Sequence, residues 1–164
     1  MNCILGLDPG LAGTGWGIIG VSAGRVKHLA HGHINTSAGV PAGDRLSVIF
    51  DSVREIIGKY MPDIAGIEAL YFARNRKSAI PVAQARGVLL LACSQANIKT
   101  FEYTPPEIKM ALTGNGRADK IQVQELVRLV LGFKEKIEPD HAADALAVAV
   151  TAFHFNENRN LGPK

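Results

Sequence analysis

Two short apolar runs in this chain each end on a carboxylate. Ile4-Leu5-Gly6-Leu7 is stopped by Asp8, and Ile64-Ala65-Gly66-Ile67 by Glu68. A third acid, Asp144, stands alone within the Ala- and Val-rich stretch from His141 to Val150. Short apolar runs bounded by turn residues read as buried strands, and the longer stretch reads as a buried helix. A lone charge on a buried element is costly unless it is paired or binds a metal. None of the three acids has a Lys or Arg beside it in sequence. Taken singly, each has a plain explanation. Asp8-Pro9-Gly10 is good turn chemistry, Glu68 could meet a distant base, and Asp144 could sit at the helix edge. Three such coincidences are needed together, so a shared cation is the better reading. His141 lies three residues before Asp144 and shares its helix face. Carboxylates with some imidazole suit Mg²⁺ or Mn²⁺. Asp140 directly follows Pro139 and is expected to cap the helix rather than to join the ligands.

The rest of the chain supplies a sheet for these acids to stand on. Thr14 to Ser22 and Val26 to Asn35 flank Ala23-Gly24 and predict a hairpin continuing from the first strand. Apolar residues from Leu46 to Tyr60 repeat at helical spacing, with Asp44 in the first turn and Pro62 beyond the end. Ser78 is expected to cap a helix running to about Asn97, with Pro81 in its first turn. That helix is apolar nearly all round and must be covered on more than one side, by the core or by a second copy of the chain. Lys99 to Tyr103 predicts a strand. Helices follow after Pro105-Pro106, over Val123 to Leu131, and from about Asp140 to Phe155. The order predicts an α/β fold: a mixed five-stranded sheet, three antiparallel strands and then parallel ones, flanked by helices on both faces. One domain is expected over residues 1–156, with a flexible tail at 157–164.

Charge is uneven. The net charge is +3, yet Tyr71 to Lys134 holds ten Lys and Arg against four Asp and Glu, leaving −3 for the remainder. A basic middle in an otherwise acidic chain suggests one face for a polyanion. Directly after Glu68 comes Leu70-Tyr71-Phe72-Ala73-Arg74-Asn75-Arg76-Lys77. Aromatics interleaved with bases suit unpaired nucleobases and phosphates. Both rings could fold into the core, but their place between a strand end and a helix start favours exposure of at least one. Lys109, Arg117 and Lys120 add positive charge around a Gly-Asn-Gly loop. His28, His31, His33 and His154 read as ordinary surface. Cys3 and Cys93 sit in apolar segments and read as buried thiols. No apolar run is long enough to span a bilayer and the first residues carry no export signal, so a cytoplasmic protein without membrane contact is expected.

Several segments, in order, carry a resemblance. They are Leu5-Gly-Leu-Asp-Pro-Gly10 with Thr14-Gly-Trp-Gly17, Ile67-Glu-Ala-Leu-Tyr-Phe-Ala-Arg-Asn75, and Gln84-Ala-Arg-Gly87. Pro105-Pro-Glu-Ile-Lys109, Ala118-Asp-Lys-Ile-Gln-Val123 and His141-Ala-Ala-Asp-Ala-Leu-Ala147 complete the set. Together they resemble the RuvC-type Holliday-junction resolvases of bacteria. The resemblance implies a ribonuclease H-like fold, a homodimer, and metal-dependent nicking of two like-polarity strands of four-way junction DNA. It implies Mg²⁺, two ions per active site, with Mn²⁺ as a substitute. It places metal-binding and catalytic roles on Asp8, Glu68 and Asp144. The family's remaining acidic position falls on His141, not on Asp140. It places a junction-probing aromatic on Tyr71, with Phe72 as the rival, and site lysines on Lys109 and Lys120. DNA contacts are expected from Tyr71, Phe72, Arg74, Arg76, Lys77, Lys109, Arg117 and Lys120. The implied partner is the RuvA-RuvB branch-migration complex. Two rivals are a junction-binding protein without catalysis and an ATPase of the actin or sugar-kinase type. The latter has a loop like Asp8-Pro-Gly-Leu-Ala-Gly-Thr-Gly15 but needs two domains of this kind.

Overall fold

The structure is a computed structural model that describes residues 2–70 and 76–160, with side chains described for 2–70 and 79–156. Five strands, β1 (Asn2–Asp8), β2 (Gly13–Ser22), β3 (Arg25–Asn35), β4 (Ile64–Glu68) and β5 (Lys99–Tyr103), form one sheet in the order β3-β2-β1-β4-β5. β1, β2 and β3 pair antiparallel, and β4 and β5 join β1 in parallel, as the sequence pattern predicts. The hairpin between β2 and β3 turns on Ala23 and Gly24, both at positive φ, which a two-residue connection between twisted strands requires.

Helices cover both faces. α1 (Ala42–Tyr60) and α2 (Arg76–Gln95) close a core containing Leu5, Leu7, Ile49, Val53, Ile67 and Leu89. α3 (Pro105–Thr113), α4 (Lys120–Val130) and α5 (Asp140–Asn160) close the other, with Ile4, Ile19, Val127, Leu146 and Val148. β1 is therefore buried on both sides, Leu5 and Leu7 facing one layer and Ile4 the other. This is why its sequence is continuously apolar rather than alternating. Cys3 and Cys93 are buried and free. Among the described residues no helix is long and apolar enough to cross a membrane.

α5 lies unusually close to the sheet because four glycines face it. A β-carbon on Gly6 would overlap the Ala145 carbonyl and sit 2.6 Å from the Ala149 nitrogen. One on Gly17 would lie 2.7 Å from the Leu146 side chain, and one on Gly66 3.0 Å from Val148. One on Gly15 would run into the His141 carbonyl. Gly6 pairs with both Gly17 and Gly66 across the strands, so the three make a strip across the sheet. α5 meets that strip with Ala145, Ala149 and Ala152, all buried.

Two helices depart from expectation. α2 starts at Arg76, so Ser78 lies within it and Pro81 is an interior residue rather than a first-turn one. The burial of Ala85, Leu89, Ala92 and Cys93 outweighs the backbone hydrogen bond that Pro81 cannot make. Ile80 and Leu91 remain 65% and 51% exposed, so this chain covers one side of α2 only. α5 continues past Phe155 to Asn160 through polar residues.

The glycine strip makes a paired prediction. Gly6→Ala should cost at least about 3 kcal/mol, because backbone on both sides must move. Gly58→Ala, exposed in α1 with nothing within 4 Å of the added methyl, should gain about 0.5–1 kcal/mol from helix propensity. Urea denaturation of the two variants against the parent measures both.

Candidate active site

Asp8 and Glu68 end neighbouring parallel strands whose preceding residues, Leu7 and Ile67, are in register. The two carboxylates therefore meet at one edge of the sheet. The first turns of α5 pass over that edge, where Gly15 lets the His141 backbone approach. His141 and Asp144 thus point to the same place. Ligand atoms of Asp8, His141 and Asp144 all lie within 4.8 Å of one another. The His141 Nδ1–H donates to Asp8 Oδ2 at 2.8 Å. Burial, and then the neighbouring Asp8 carboxylate and its hydrogen bond, push Glu68 up to about 8, with Asp144 adding to the shift and Lys120 opposing it. The bond to Asp8 raises His141 above its usual value, against some loss of solvation.

α4 supplies the other side of the site. Its N-terminus is fixed by Asp119, whose Oδ1 accepts from the Gln122 N–H at 2.8 Å while Gln122 Oε1 accepts from the Asp119 N–H at 3.1 Å. The next residue, Lys120, donates to Asp144 Oδ2 at 2.8 Å. Gln124, one turn on, donates to Asp144 Oδ1 at 3.4 Å. Lys120 loses some solvation there, but the Asp144 bond and the charges of Asp144, Asp140 and Asp8 outweigh it and hold its ammonium above the usual lysine range. Sequence reading passed over Gln124. The available signal was its spacing of four from Lys120, which puts both on one helix face.

Asp140 is not the expected cap. It is the first residue of α5, its side chain accepts from Lys136 at 2.8 Å, and Lys120 stands 3.9 Å away. Two lysines brought in by neighbouring segments outcompete the helix N–H groups for it. The Lys136 bond lowers the Asp140 carboxyl below its ordinary value. Lys109 is half-buried in α3 and Arg117 exposed in the loop before α4. Among the described residues, no hydrogen bond or ion pair joins either to the acids. Tyr71, Phe72 and Arg74 lie outside the described residues. Arg76 and Lys77 open α2, but their side chains lie outside the description too.

Two histidines of β3, His28 and His31, are not plain surface. A bulge at Leu29 makes two residues span one step opposite Ile18 and Ile19, putting His28 and His31 on one face. Their rings hydrogen-bond at 2.8 Å and both pack on Phe133. Burial, and then His31, lower the His28 pKa. His33 bonds Asn35 at 2.5 Å on the exposed part of the strand, and His154 lies against Phe153.

Three carboxylates and an imidazole at the carboxyl ends of β1 and β4 are a hard, oxygen-rich donor set. Such a set fits a divalent cation of the Mg²⁺ or Mn²⁺ kind. A mixed five-stranded sheet with helices on both faces and this acidic edge defines a ribonuclease H-like nuclease domain. The particular family follows from comparison with known proteins. Residues 4–152 match the family model of the crossover junction endodeoxyribonuclease RuvC, and the chain belongs to the RuvC family. It is 52% identical over 155 residues to the crossover junction endodeoxyribonuclease RuvC of Treponema denticola, covering 94% of this chain and 87% of that one. It is 45% identical to that of Halothermothrix orenii, with 98% of each chain covered. The structure of Thermus thermophilus RuvC in complex with a Holliday junction substrate superposes with a TM-score of 0.90 at 34% identity, over 96% of this chain and 97% of that one. The protein is accordingly a metal-dependent, DNA-cleaving hydrolase.

The raised Glu68 pKa fixes the sign of a pH effect. In metal-free protein the folded state holds this proton to about 8, whereas the unfolded chain releases it near 4.5. Stability contributed by the protonated form is therefore complete below 4.5 and is lost as pH rises toward 8. Glu68→Gln should melt with the parent at pH 4 and at least about 3 °C above it at pH 8 in EDTA. Melting curves across that range check it. Equal melting temperatures at pH 8 would mean that the folded state does not hold the Glu68 proton above its ordinary range.

Proposed function

We infer that this chain resolves four-way DNA junctions, nicking two strands of like polarity during recombination and repair. The observation that carries the reading is the convergence of Asp8, His141 and Asp144 beside Glu68, in a chain whose RuvC relative from Thermus thermophilus has been seen with a Holliday junction. Asp8, Glu68, His141 and Asp144 are the proposed catalytic ligands. They would hold two Mg²⁺ ions, or Mn²⁺ in their place, which supply Lewis acidity for the attacking water and the leaving oxygen.

The chain's own groups do the rest. Asp8 and Glu68 are rigid because they end buried strands. His141 is oriented through Asp8. Lys120 holds an ammonium beside the acids where a scissile phosphate would lie. Lys109, Arg117, Arg74, Arg76 and Lys77 extend the basic segment that would follow the DNA backbone. Tyr71, with Phe72 as alternative, would stack on a base freed at the junction centre. Symmetric cuts suit a two-fold dimer, and the exposed Ile80 and Leu91 of α2 support that helix as its interface. The family resemblance supports the RuvA-RuvB complex as partner, in the cytoplasm. The RuvC family match disfavours the ATPase reading, and the ligand set disfavours simple binding.

On a synthetic four-way junction with Mg²⁺, Asp8→Asn, Glu68→Gln and Asp144→Asn should each lose nicking by about a hundredfold or more. Junction affinity should fall little or rise, since fewer anions then face phosphate. His141→Ala should also lose nicking. Asp140→Ala should keep most activity and cost under about 1 kcal/mol, its partners being exposed lysines. Product mapping on all four strands, with gel-shift affinities, reads these outcomes. Near-normal nicking by Asp144→Asn would sink the assignment.

Tyr71→Ala should slow cutting of intact junctions without lowering the melting temperature, because stacking on a freed base returns about 1–3 kcal/mol. Junctions already unpaired at the centre should be cut faster by the variant than intact ones. If Phe72→Ala shows this pattern and Tyr71→Ala merely unfolds, Phe72 is the probe.

A further inference from the structure

Asp144 is gripped on both oxygens by one face of one helix. Lys120 takes Oδ2 at 2.8 Å and Gln124 takes Oδ1 at 3.4 Å, from positions a turn apart on α4. The two grips differ in charge. An ammonium ion held on a carboxylate repels a divalent cation arriving at the same group, and a carboxylate cannot serve both at full strength. A neutral amide has no such conflict. It uses one lone pair of Oδ1, and an ionised carboxylate has about four such sites. Lys120 is also free to leave. Its side chain is 56% exposed, and a four-carbon stem lets its head swing away while its backbone stays fixed by the Asp119 cap. Gln124 sits further inside, half-buried between α4 and α5.

We propose that Gln124 is a positioning residue that fixes the Asp144 carboxylate for the divalent ion, and that Lys120 is a resident counter-cation the ion must displace. The inference rests on the metal-site reading of Asp144. On binding, Lys120 is released from Asp144 but stays tethered at the mouth of the site, where its charge meets the phosphate. Gln124 keeps the carboxylate plane oriented throughout. Groups that orient a metal ligand carry about ten- to a hundredfold of metal affinity. The long Gln124 bond places it at the low end.

The test is Mn²⁺ binding to the full chain without DNA, followed by calorimetry or by the free-Mn²⁺ spin-resonance signal. Gln124→Met keeps length and removes the donor, and should weaken Mn²⁺ binding about tenfold. Lys120→Met should tighten it severalfold, although it weakens junction cutting. Opposite signs from two residues of one helix face cannot come from a common loss of fold. In nicking assays Gln124→Met should raise the Mg²⁺ concentration for half-maximal rate while the rate at saturating Mg²⁺ recovers. Gln124→Ala should repeat the affinity loss at an unchanged melting temperature. Wild-type Mn²⁺ affinity in Gln124→Met, a loss that accompanies unfolding in both Gln124 variants, or weaker binding by Lys120→Met would overturn the proposal. Asp144→Asn separates the two levels. If it binds Mn²⁺ like the parent, the site reading itself fails. If it loses Mn²⁺ while Gln124→Met does not, only this inference fails.

Discussion

The close approach of α5 to the sheet is the constraint on which the site depends. A helix normally stands off a sheet by the depth of two side-chain layers. Here Gly6, Gly17 and Gly66 remove one layer and the alanines of α5 thin the other, so backbone nearly meets backbone. That geometry brings the first turn of α5 down to the strand ends. His141 reaches Asp8 directly, and Asp144 falls within 4.8 Å of both. With side chains at the glycine positions, α5 would ride higher and the acids on the strands would lose their partners on the helix. The glycines also explain why this face has small residues where the opposite face has Leu5, Leu7 and Ile67.

Gathering three carboxylates at one edge works against folding. The molecule answers with positive charge of several kinds: an imidazole N–H on Asp8, a lysine ammonium on Asp144 and a proton retained on Glu68. The hydrophobic layers on either side of β1 supply the stability that holds the acids together. A perturbed acid such as Glu68 in a rigid, partly buried edge is a usual mark of a functional site. Lys120 stands on α4, a separate element from those that carry the three acids.

Much of this was legible in the sequence because local signals and tertiary outcome agree. Apolar runs ended by Asp8 and Glu68 are strands, Ala23-Gly24 is the hairpin turn, and the spacing of His141 and Asp144 puts both on one side of α5. The misreadings share a different cause. Asp140 looked like a cap because it directly follows Pro139, but Lys136 from the segment before α5 and Lys120 from α4 reach it. His28 and His31 read as ordinary surface because no further ligand stands near them in sequence, and one bulge residue brings the two to a single face. Ser78 looked like a helix start, but burial further along α2 extends the helix back past it. Gln124 gave only a spacing, since nothing in a single sequence tells which face of α4 meets α5. The glycine strip was likewise unread: pairing of Gly6 with Gly17 and Gly66 appears only once strand register is known.

Register also sets the order in which charges must act. Without divalent ions the site presents carboxylates toward any approaching phosphate, offset by the Asp8–His141 bond, the Glu68 proton and the Lys120 ammonium on Asp144. At a few ångströms this repulsion amounts to several kcal/mol in a medium of intermediate dielectric. On the proposed reading divalent ions would remove it and free Lys120, so that loading the acids and attracting the phosphate would be coupled through one ion pair. A lysine on the N-terminal residue of α4, rather than on a loose loop, keeps that coupling short. Its backbone is pinned by the Asp119–Gln122 cap while its exposed side chain would be free to exchange carboxylate for phosphate. On the proposed reading the chemistry would stay confined to the edge where α5 meets the strand ends.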